Sequence, residues 1–365
     1  MLSQRINKIE ESGIRKIFEI AANGGGEYVN LSIGQPHFGV SKKIKQAAIE
    51  AIRNDKNFYT STSGINILKE KIIDKLKKEN GITASLDEIL VTAGVSGGLF
   101  LALSALVNRG DEVILPEPYF VGYKQILNFL GAKIKYLKTY PDFHISEEEL
   151  KKSISPKTKL IILNSPNNPT GAIYSQNELK LVAAIAAKNN ILILSDEIYE
   201  YYDYDNSFFS IGKIYKNTIT LNGFSKSQAA TGWRVGFVHA PKNIIKAMSN
   251  LQQYTFVCAP APFQFALAKA GSRQNIRKHI ALYKKNRDYI FDELKNVYEI
   301  VKSAGAFYYF IKYPKQNKFF DKIIKHKILA VPGNVFSEND DYFRISFAVP
   351  HEIVKKGVDV LKSII

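Results

Sequence analysis

The chain has 365 residues and an apolar fraction of 45%, which suits a globular protein large enough for more than one domain. No apolar run is long enough to span a membrane, and the N-terminus lacks the apolar core of a signal peptide, so we expect no membrane partner. The net charge of +16 comes from lysines that are scattered along the chain, which favours a compositional bias over a nucleic-acid partner.

The first predicted elements are helices. Residues 1–20 form an amphipathic pattern, and acidic residues within it argue against a transit peptide. Apolar residues at helical spacing predict two more helices, over 41–54 and 66–80.

From residue 89 onward, short apolar strands alternate with helices, which predicts a largely parallel sheet covered on both faces. Ligands bind at the carboxyl ends of the strands in such sheets, so polar clusters at these ends predict a site. The predicted strands are one ending near Thr92, DEVILPEP (stopped by Pro116 and Pro118), GAKIKYL, KLIILN, NNILILSD and NTITLN, and the polar clusters are 93–96, 164–171, 195–197 and 225–226.

After about residue 275 the pattern changes to a long charged helix, two strand-like segments and a closing helix. This change predicts a smaller α+β domain. We therefore predict an N-terminal arm (1–40) that packs on the small domain, a large domain (41–275) and a small domain (276–365).

Cysteine and histidine usage excludes some kinds of site. A lone cysteine, Cys258, cannot form an internal disulfide and is typical of a reducing cytoplasm, where we expect this protein. The six histidines are far apart and lack metal-ligand spacing, so we predict no metal site.

Three motifs occur in order, each at a predicted strand end: NSPNNPTG, SDEIY, and SK followed by TGWRVG. Together they resemble the class I/II aminotransferases, which are pyridoxal 5′-phosphate enzymes of the aspartate aminotransferase family with fold type I. The resemblance runs from SIGQP near Gly34 to YFRISFA near Arg344. It implies a three-layer α/β/α large domain with a mostly parallel sheet, beside a smaller α+β domain.

The resemblance assigns the catalytic centre. Lys226 matches the lysine that holds the cofactor as a Schiff base and then moves the proton, for which it must not stay an ammonium. Asp196 matches the partner of the protonated ring nitrogen; the alternative is a helix N-cap. Tyr199 and Asn168 match hydrogen-bond donors to the ring oxygen, although Asn168 in Asn-Pro is also an ordinary turn residue.

A second group of residues matches the cofactor's phosphate site. Arg234 matches the phosphate arginine, because a guanidinium binds phosphate oxygens in bidentate fashion. Val95 and Ser96 begin an apolar helix, whose free N–H groups favour an anion, and Ser225 adds a hydroxyl. One position departs from many family members, which have serine where this chain has Gly223.

The remaining matches concern the ring face, the substrate and a partner subunit. Phe120 matches an aromatic ring that stacks on the cofactor; the alternative is an ordinary core phenylalanine. Tyr59 matches a tyrosine that reaches the phosphate of the other subunit of a homodimer; the alternative is a tyrosine that packs within its own chain. Arg344 matches the arginine that grips the substrate α-carboxylate, and Gly34 lets the backbone approach the same group.

We therefore predict a cytoplasmic, homodimeric aminotransferase that moves an α-amino group between an L-amino acid and a 2-oxo acid by a ping-pong mechanism. Two alternatives remain: a β C–S lyase on the same fold, and a non-catalytic regulatory protein of this fold. Ser96 stands where some relatives place a lysine for a second carboxylate, which disfavours aspartate as donor. Phe18, Ile33 and Tyr59 are candidates to line a pocket for aromatic or other apolar amino acids.

Overall fold

The computed structural model describes residues 2–23, 28–269, 276–313, 319–339 and 341–365. Short apolar segments form the strands, and most are buried along their whole length, as expected for a sheet covered on both faces. The strands are β1 (Val29–Asn30), β2 (Ile89–Thr92), β3 (Glu112–Glu117), β4 (Lys133–Lys138), β5 (Thr158–Asn164), β6 (Leu192–Asp196), β7 (Thr218–Gly223), β8 (Gly236–His239), β9 (Glu299–Ile300), β10 (Tyr308–Lys312), β11 (Ile328–Leu329), β12 (Val331–Pro332) and β13 (Tyr342–Ser346).

Helices follow most of the large-sheet strands and cover them. Several begin with a serine cap, as Ser175 does by accepting from the Glu178 N–H in a capping box. Within the described residues, no helix combines the length and the apolarity needed to cross a bilayer. The helices are α1 (Gly13–Asn23), α2 (Lys42–Arg53), α3 (Asn66–Lys75), α4 (Gly94–Leu106), α5 (Val121–Leu130), α6 (Glu147–Ser153), α7 (Gln176–Lys188), α8 (Lys242–Gln253), α9 (Ala261–Ala268), α10 (Arg277–Leu294), α11 (Phe319–Lys325) and α12 (His351–Ser363).

In the described part of the chain, seven strands form the large sheet in the order β2-β8-β7-β6-β5-β3-β4. Strands β4, β3, β5, β6 and β7 run parallel, and β8 runs antiparallel to both of its neighbours. Alternate residues of one strand enter different cores: Leu160 and Ile162 pack on one face, and Ile161 and Leu163 on the other. This confirms the predicted α/β fold with a mostly parallel, doubly covered sheet.

The C-terminal part builds a separate sheet, with the order β12-β13-β10-β9 among the described residues. Its core includes residues from β10, β13, α10 and α12. Strand β1 pairs with β11, which ties the N-terminal segment to this part of the molecule. These pairings support the division into an arm, a large and a small domain, whose limits stay a prediction.

Local structure differs from the sequence predictions at three places. The N-terminal segment is not one helix: a 3₁₀ turn at Ile6–Lys8 leads to extended Ile9, and α1 begins at Gly13. The predicted helix over 66–80 is α-helical only to Lys75 and ends in a π-helical turn. Pro116 does not stop its strand, since β3 continues to Glu117.

Candidate active site

A cavity of about 260 Å³ opens where the carboxyl ends of the central strands meet the C-terminal sheet. The loops after β2, β5, β6 and β7 supply most of its walls, as the strand-end clusters predict. All the predicted cofactor-binding, catalytic and carboxylate-binding residues line this cavity except Tyr59. Those residues are Gly34, Val95, Ser96, Phe120, Asn168, Asp196, Tyr199, Ser225, Lys226, Arg234 and Arg344.

Lys226 follows β7 and projects its amine into the cavity. Its Nζ donates a hydrogen bond of 2.6 Å to the carbonyl oxygen of Gly34. Burial first, and then the positive charges of Arg344 and Arg234, lower the pKa of the Lys226 amine to about 8, while the charge of Asp196 opposes them. The lysine is therefore much closer to a neutral nucleophile than a surface lysine is.

Asp196 ends β6 and is 5% exposed. The Tyr123 hydroxyl donates to Asp196 Oδ2 at 2.8 Å, and the Ile198 N–H donates to Oδ1 at 3.2 Å. Burial raises the pKa of Asp196 to about 6, against the effect of these bonds and of Lys226. The acid is thus held in place by neutral donors, which leaves room for a cationic partner.

The sequence analysis missed Tyr123. It lies three residues after Phe120, and its side chain is buried against the end of β6. The helical spacing within VGYKQIL placed it on the inner face of α5, but no motif distinguished its hydroxyl from an ordinary core tyrosine.

An anion cradle lies at one end of the cavity. Helix α4 begins after Ala93, and no side chain in the described residues caps its N-terminus, so the first N–H groups are available. Arg234 adopts a left-handed φ of 54° and donates from Nη1 to the Thr231 carbonyl oxygen at 3.0 Å. A side chain on Gly94 would collide with the Arg234 guanidinium, so the glycine keeps the cation against the helix.

The departure at Gly223 has a packing reason. A Cβ at this position would lie 3.0 Å from Gly236 Cα and 3.3 Å from the Val235 carbonyl oxygen. Strands β7 and β8 therefore approach each other closely beside the cradle, and a serine here would force the backbones apart.

At the other end of the cavity, Arg344 on β13 is 1% exposed. Its Nη1 donates to Asn168 Oδ1 at 2.9 Å and its Nη2 donates to the Ser32 carbonyl oxygen at 2.6 Å. Within the described residues its Nε has no hydrogen-bond partner and the guanidinium has no carboxylate partner. A buried cation with spare donors is suited to an anionic ligand.

Two aromatic rings flank this guanidinium. The Arg344 Cζ lies 4.6 Å from the ring centre of Tyr308 and 4.7 Å from that of Phe336. The Tyr308 hydroxyl lies 2.8 Å from the Tyr199 hydroxyl, and a side chain on Gly34 would collide with it. The sequence analysis missed Tyr308, because one tyrosine in GAFYYFIKY gave no signal beyond that of a buried strand.

The predicted pocket for the substrate side chain is corrected in part. Tyr59 is 83% exposed, on a surface that also holds Phe256 and Val257, and does not line the cavity of its own chain. Ile33 is not among the lining residues either, and the side chain of Phe18 lies outside the described residues. Ile14, from α1, supplies an apolar side chain instead.

Comparison with known proteins agrees with this geometry. The model of the family described as aminotransferase class I and II matches residues 26–361. The chain is 38% identical to a probable aspartate aminotransferase of Methanocaldococcus jannaschii, with 100% of both chains covered. It is 35% identical to the aromatic-amino-acid aminotransferase 2 of Thermococcus litoralis, over 100% of this chain and 98% of that one.

Among solved structures, the aspartate aminotransferase of Thermus thermophilus with maleate superposes with a TM-score of 0.95 at 30% identity, with 100% of both chains covered. The chain therefore belongs to the class I and II aminotransferases. It is an aminotransferase of fold type I, as the motifs predicted.

Proposed function

We propose that this aminotransferase holds pyridoxal 5′-phosphate on Lys226 and uses L-amino acids with apolar or aromatic side chains as donors. The observation that carries the proposal is the arrangement of one cavity. A lysine of lowered pKa lies between a buried acid, an anion cradle and a buried arginine that lacks a carboxylate partner among the described residues. When bound, this cofactor supplies an electron-withdrawing ring that stabilises negative charge on the substrate Cα.

The residues present fit this cofactor. Arg234, the N–H groups at the start of α4 and the Ser225 hydroxyl would bind its phosphate. Asp196 would pair with the protonated ring nitrogen, which explains why a buried acid is met only by neutral donors among its described contacts. Phe120 would cover one ring face.

The ring oxygen would lie toward Tyr199 and Asn168. Asn168 Oδ1 accepts a hydrogen bond from Arg344 Nη1. The Nδ2 group of the same amide is therefore left to donate to the ring oxygen. Asn168 would thus connect the cofactor end of the site to the carboxylate end.

Arg344 would bind the substrate and Lys226 would transfer its proton. Arg344 binds the α-carboxylate with its unused donors, and the missing side chain of Gly34 leaves room for the Tyr308 hydroxyl beside it. This contact would fix the substrate so that its Cα faces the Lys226 amine. In its neutral form the amine would take the proton from Cα, and as an ammonium it would give a proton back later in the same half-reaction.

The donor class follows from the charges of the cavity. Among the described residues that line it, the cations are Lys226, Arg234 and Arg344, and each is used by the cofactor or by the α-carboxylate. A second carboxylate on the substrate would meet no further cation among the described residues that line this cavity. Ile14 and Tyr308 offer apolar surface instead.

The working unit is proposed to be a cytoplasmic homodimer. Phe58, Tyr59 and Phe256 are exposed and lie together in one surface patch, a feature that is typical of interaction sites. Burial of this patch against a second copy would place Tyr59 at the phosphate end of the partner's cavity. The lone Cys258 supports the cytoplasmic location.

The test is a spectroscopic half-reaction. The visible absorbance of the cofactor-loaded protein is followed while single amino acids are added, and 2-oxo acids are assayed in the same samples. We expect phenylalanine or leucine to convert the spectrum at far lower concentration than aspartate, with one 2-oxo acid released per site and the spectrum restored by a second 2-oxo acid. If aspartate and glutamate are the only active donors, the proposed donor class is wrong.

A further inference from the structure

Tyr308 joins three parts of the active site. Its hydroxyl is within hydrogen-bond distance of the Tyr199 hydroxyl, at 2.8 Å, and it occupies the space beside Gly34, whose carbonyl oxygen accepts from Lys226. Its ring lies under the Arg344 guanidinium at 4.6 Å. Tyr308 is 1% exposed, so its position is set by packing within the small domain.

The direction of the bond between the two hydroxyls follows from counting protons. Each tyrosine has one O–H proton to donate. In the proposed function, the Tyr199 hydroxyl donates its hydrogen bond to the negatively charged ring oxygen. The Tyr308 hydroxyl must then be the donor in the 2.8 Å hydrogen bond between the two tyrosines. Accepting this bond polarises the Tyr199 hydroxyl and strengthens its own donation to the anionic oxygen.

The ring of Tyr308 acts separately on the arginine. The Arg344 Cζ lies over the ring of Tyr308 and over that of Phe336, and the hydrogen bonds to Asn168 and Ser32 fix its in-plane rotation. A planar cation that is stacked on aromatic faces keeps its free donors pointed in one direction.

We infer that Tyr308 is a positioning residue with two functions: its hydroxyl directs the Tyr199 proton at the cofactor's ring oxygen, and its ring orients Arg344 for the substrate carboxylate. The inference rests on the proposed function, since it assumes that the cofactor is held on Lys226. The two functions predict different results for two substitutions at the same position.

The first experiment titrates the visible absorbance of the loaded enzyme with pH. Tyr308→Phe removes the hydroxyl and keeps the ring. Without the bond to Tyr199 the anionic ring oxygen is less stabilised, so we expect the pKa of the cofactor's chromophore to rise by about 0.5–1. Tyr298→Phe is the matched control, because it removes another buried hydroxyl of the small domain, one that donates to the Leu361 carbonyl oxygen far along the chain.

A double-mutant cycle tests whether the hydroxyl acts through Tyr199. In a Tyr199→Phe background, Tyr308→Phe should cause no further change in the pKa of the chromophore. An equal change in both backgrounds, or no change in either, would overturn this part of the inference.

The second experiment measures the dissociation constant of 3-phenylpropionate, a carboxylate that lacks the amino group. Tyr308→Phe should leave it unchanged within about twofold, whereas Tyr308→Leu should raise it about tenfold, since the guanidinium loses one of its aromatic faces. Equal binding by both variants would overturn the role of the ring.

Failure of the proposed function has a different signature. If the wild-type protein shows no visible chromophore after incubation with pyridoxal 5′-phosphate, or keeps it when Lys226 is replaced by alanine, the cofactor assignment itself is wrong. If wild type forms the chromophore on Lys226 and the Tyr308 variants titrate and bind as wild type does, the inference about Tyr308 is wrong and the proposed function stands.

Discussion

Two buried polar clusters lie on either side of the end of β6, and they use charge differently. The inner ion-pair cluster comprises Lys75, Asn80, Glu197 and Glu200. Lys75 Nζ pairs with Glu200 and donates to Asn80 Oδ1 at 2.6 Å, while Asn80 Nδ2 donates to Glu200 Oε2 at 2.8 Å. Asn80 Nδ2 also lies 3.3 Å from Glu197 Oε2, so each charged or amide group of this cluster meets another member of it.

The active-site cluster contains Asp196, Lys226 and Arg344, and its charges are not matched in this way. Lys226 donates to a backbone carbonyl, Asp196 accepts from neutral donors, and Arg344 lacks a carboxylate partner in the described part of the chain. Asp196 and Glu197 are consecutive residues, yet the extended chain sends them to opposite clusters. Buried charges matched within the protein serve folding, whereas unmatched ones are held for a ligand.

The largest expected effect comes from removing the lysine of the active-site cluster. Lys226→Ala should lose the covalent cofactor and lower the rate of amino transfer by about 10⁴-fold or more, because both the nucleophile and the proton carrier are gone. Its free energy of unfolding should not fall, since the amine is poorly solvated and has no acidic hydrogen-bond partner among the described residues. Steady-state rates and urea unfolding check both statements.

Removing the lysine of the inner ion-pair cluster should have the reverse outcome. Lys75→Ala leaves the buried Glu200 carboxylate without its cation, which should lower the free energy of unfolding by about 3 kcal/mol with little change in kcat. Lys78→Ala is the control: its pair with Asp74 is largely exposed and should matter by less than about 1 kcal/mol. Equal stability losses in the two variants would contradict the distinction.

The two buried arginines of the C-terminal part extend the same contrast. Arg287 is paired with Asp205 and Asp288, while Arg344 is not paired with an acid in the described residues. Arg344→Leu should raise the KM for the amino acid about 10²-fold through lost charge-assisted hydrogen bonds. Arg287→Leu should instead lower stability and leave KM near the wild-type value, which initial-rate and unfolding measurements separate.

The pH dependence of cofactor capture tests the environment of Lys226. Below its pKa of about 8 the amine is an ammonium, so the rate of attachment of pyridoxal 5′-phosphate to the stripped protein should rise about tenfold per pH unit and level off above about 8. Borohydride trapping followed by peptide mapping measures the rate at this residue. If the attachment rate keeps rising up to pH 10.5, which is the pKa of an ordinary lysine, the pKa of Lys226 is not lowered.

The sequence was sufficient for the sheet and for most of the cavity, for physical reasons. Parallel strands buried on both faces give apolar runs, and their polar ends must meet at one edge, so Asp196, Lys226 and Asn168 could be brought together from the pattern and the motifs. Tyr123 and Tyr308 could not. Each is a buried tyrosine among many in this chain, and only the packing of α5 and β10 against the strand ends shows what their hydroxyls touch.

The inner ion-pair cluster also could not be predicted from the sequence. Glu197 belongs to the SDEIY motif, but its partner Asn80 lies 117 residues away, after a helix whose last turn is π-helical. No spacing rule connects positions that are brought together only by tertiary packing. The N-terminal break at Ile9 was missed for a related reason, since the amphipathic pattern of residues 1–20 continues through it.

The smallest expected effect is a pH-dependent change in stability that belongs to Glu197. Burial, and then the charge of Glu200, raise the pKa of Glu197 to about 8 from its ordinary 4.5. Between these values the folded protein keeps a proton that the unfolded chain has released, so the contribution of Glu197 to stability is present below 4.5 and is lost as the pH rises to about 8.

Glu197→Gln should remove this dependence, because its amide stays neutral in both states. The difference in unfolding free energy, wild type minus variant, should therefore fall steadily across that pH window in urea titrations. Glu148→Gln is the matched control: Glu148 is exposed, and Lys152 lowers the pKa of its carboxyl, so no such fall is expected. A flat difference for Glu197 would contradict a raised pKa, because Glu197 would then release its proton at the same pH in the folded and unfolded states.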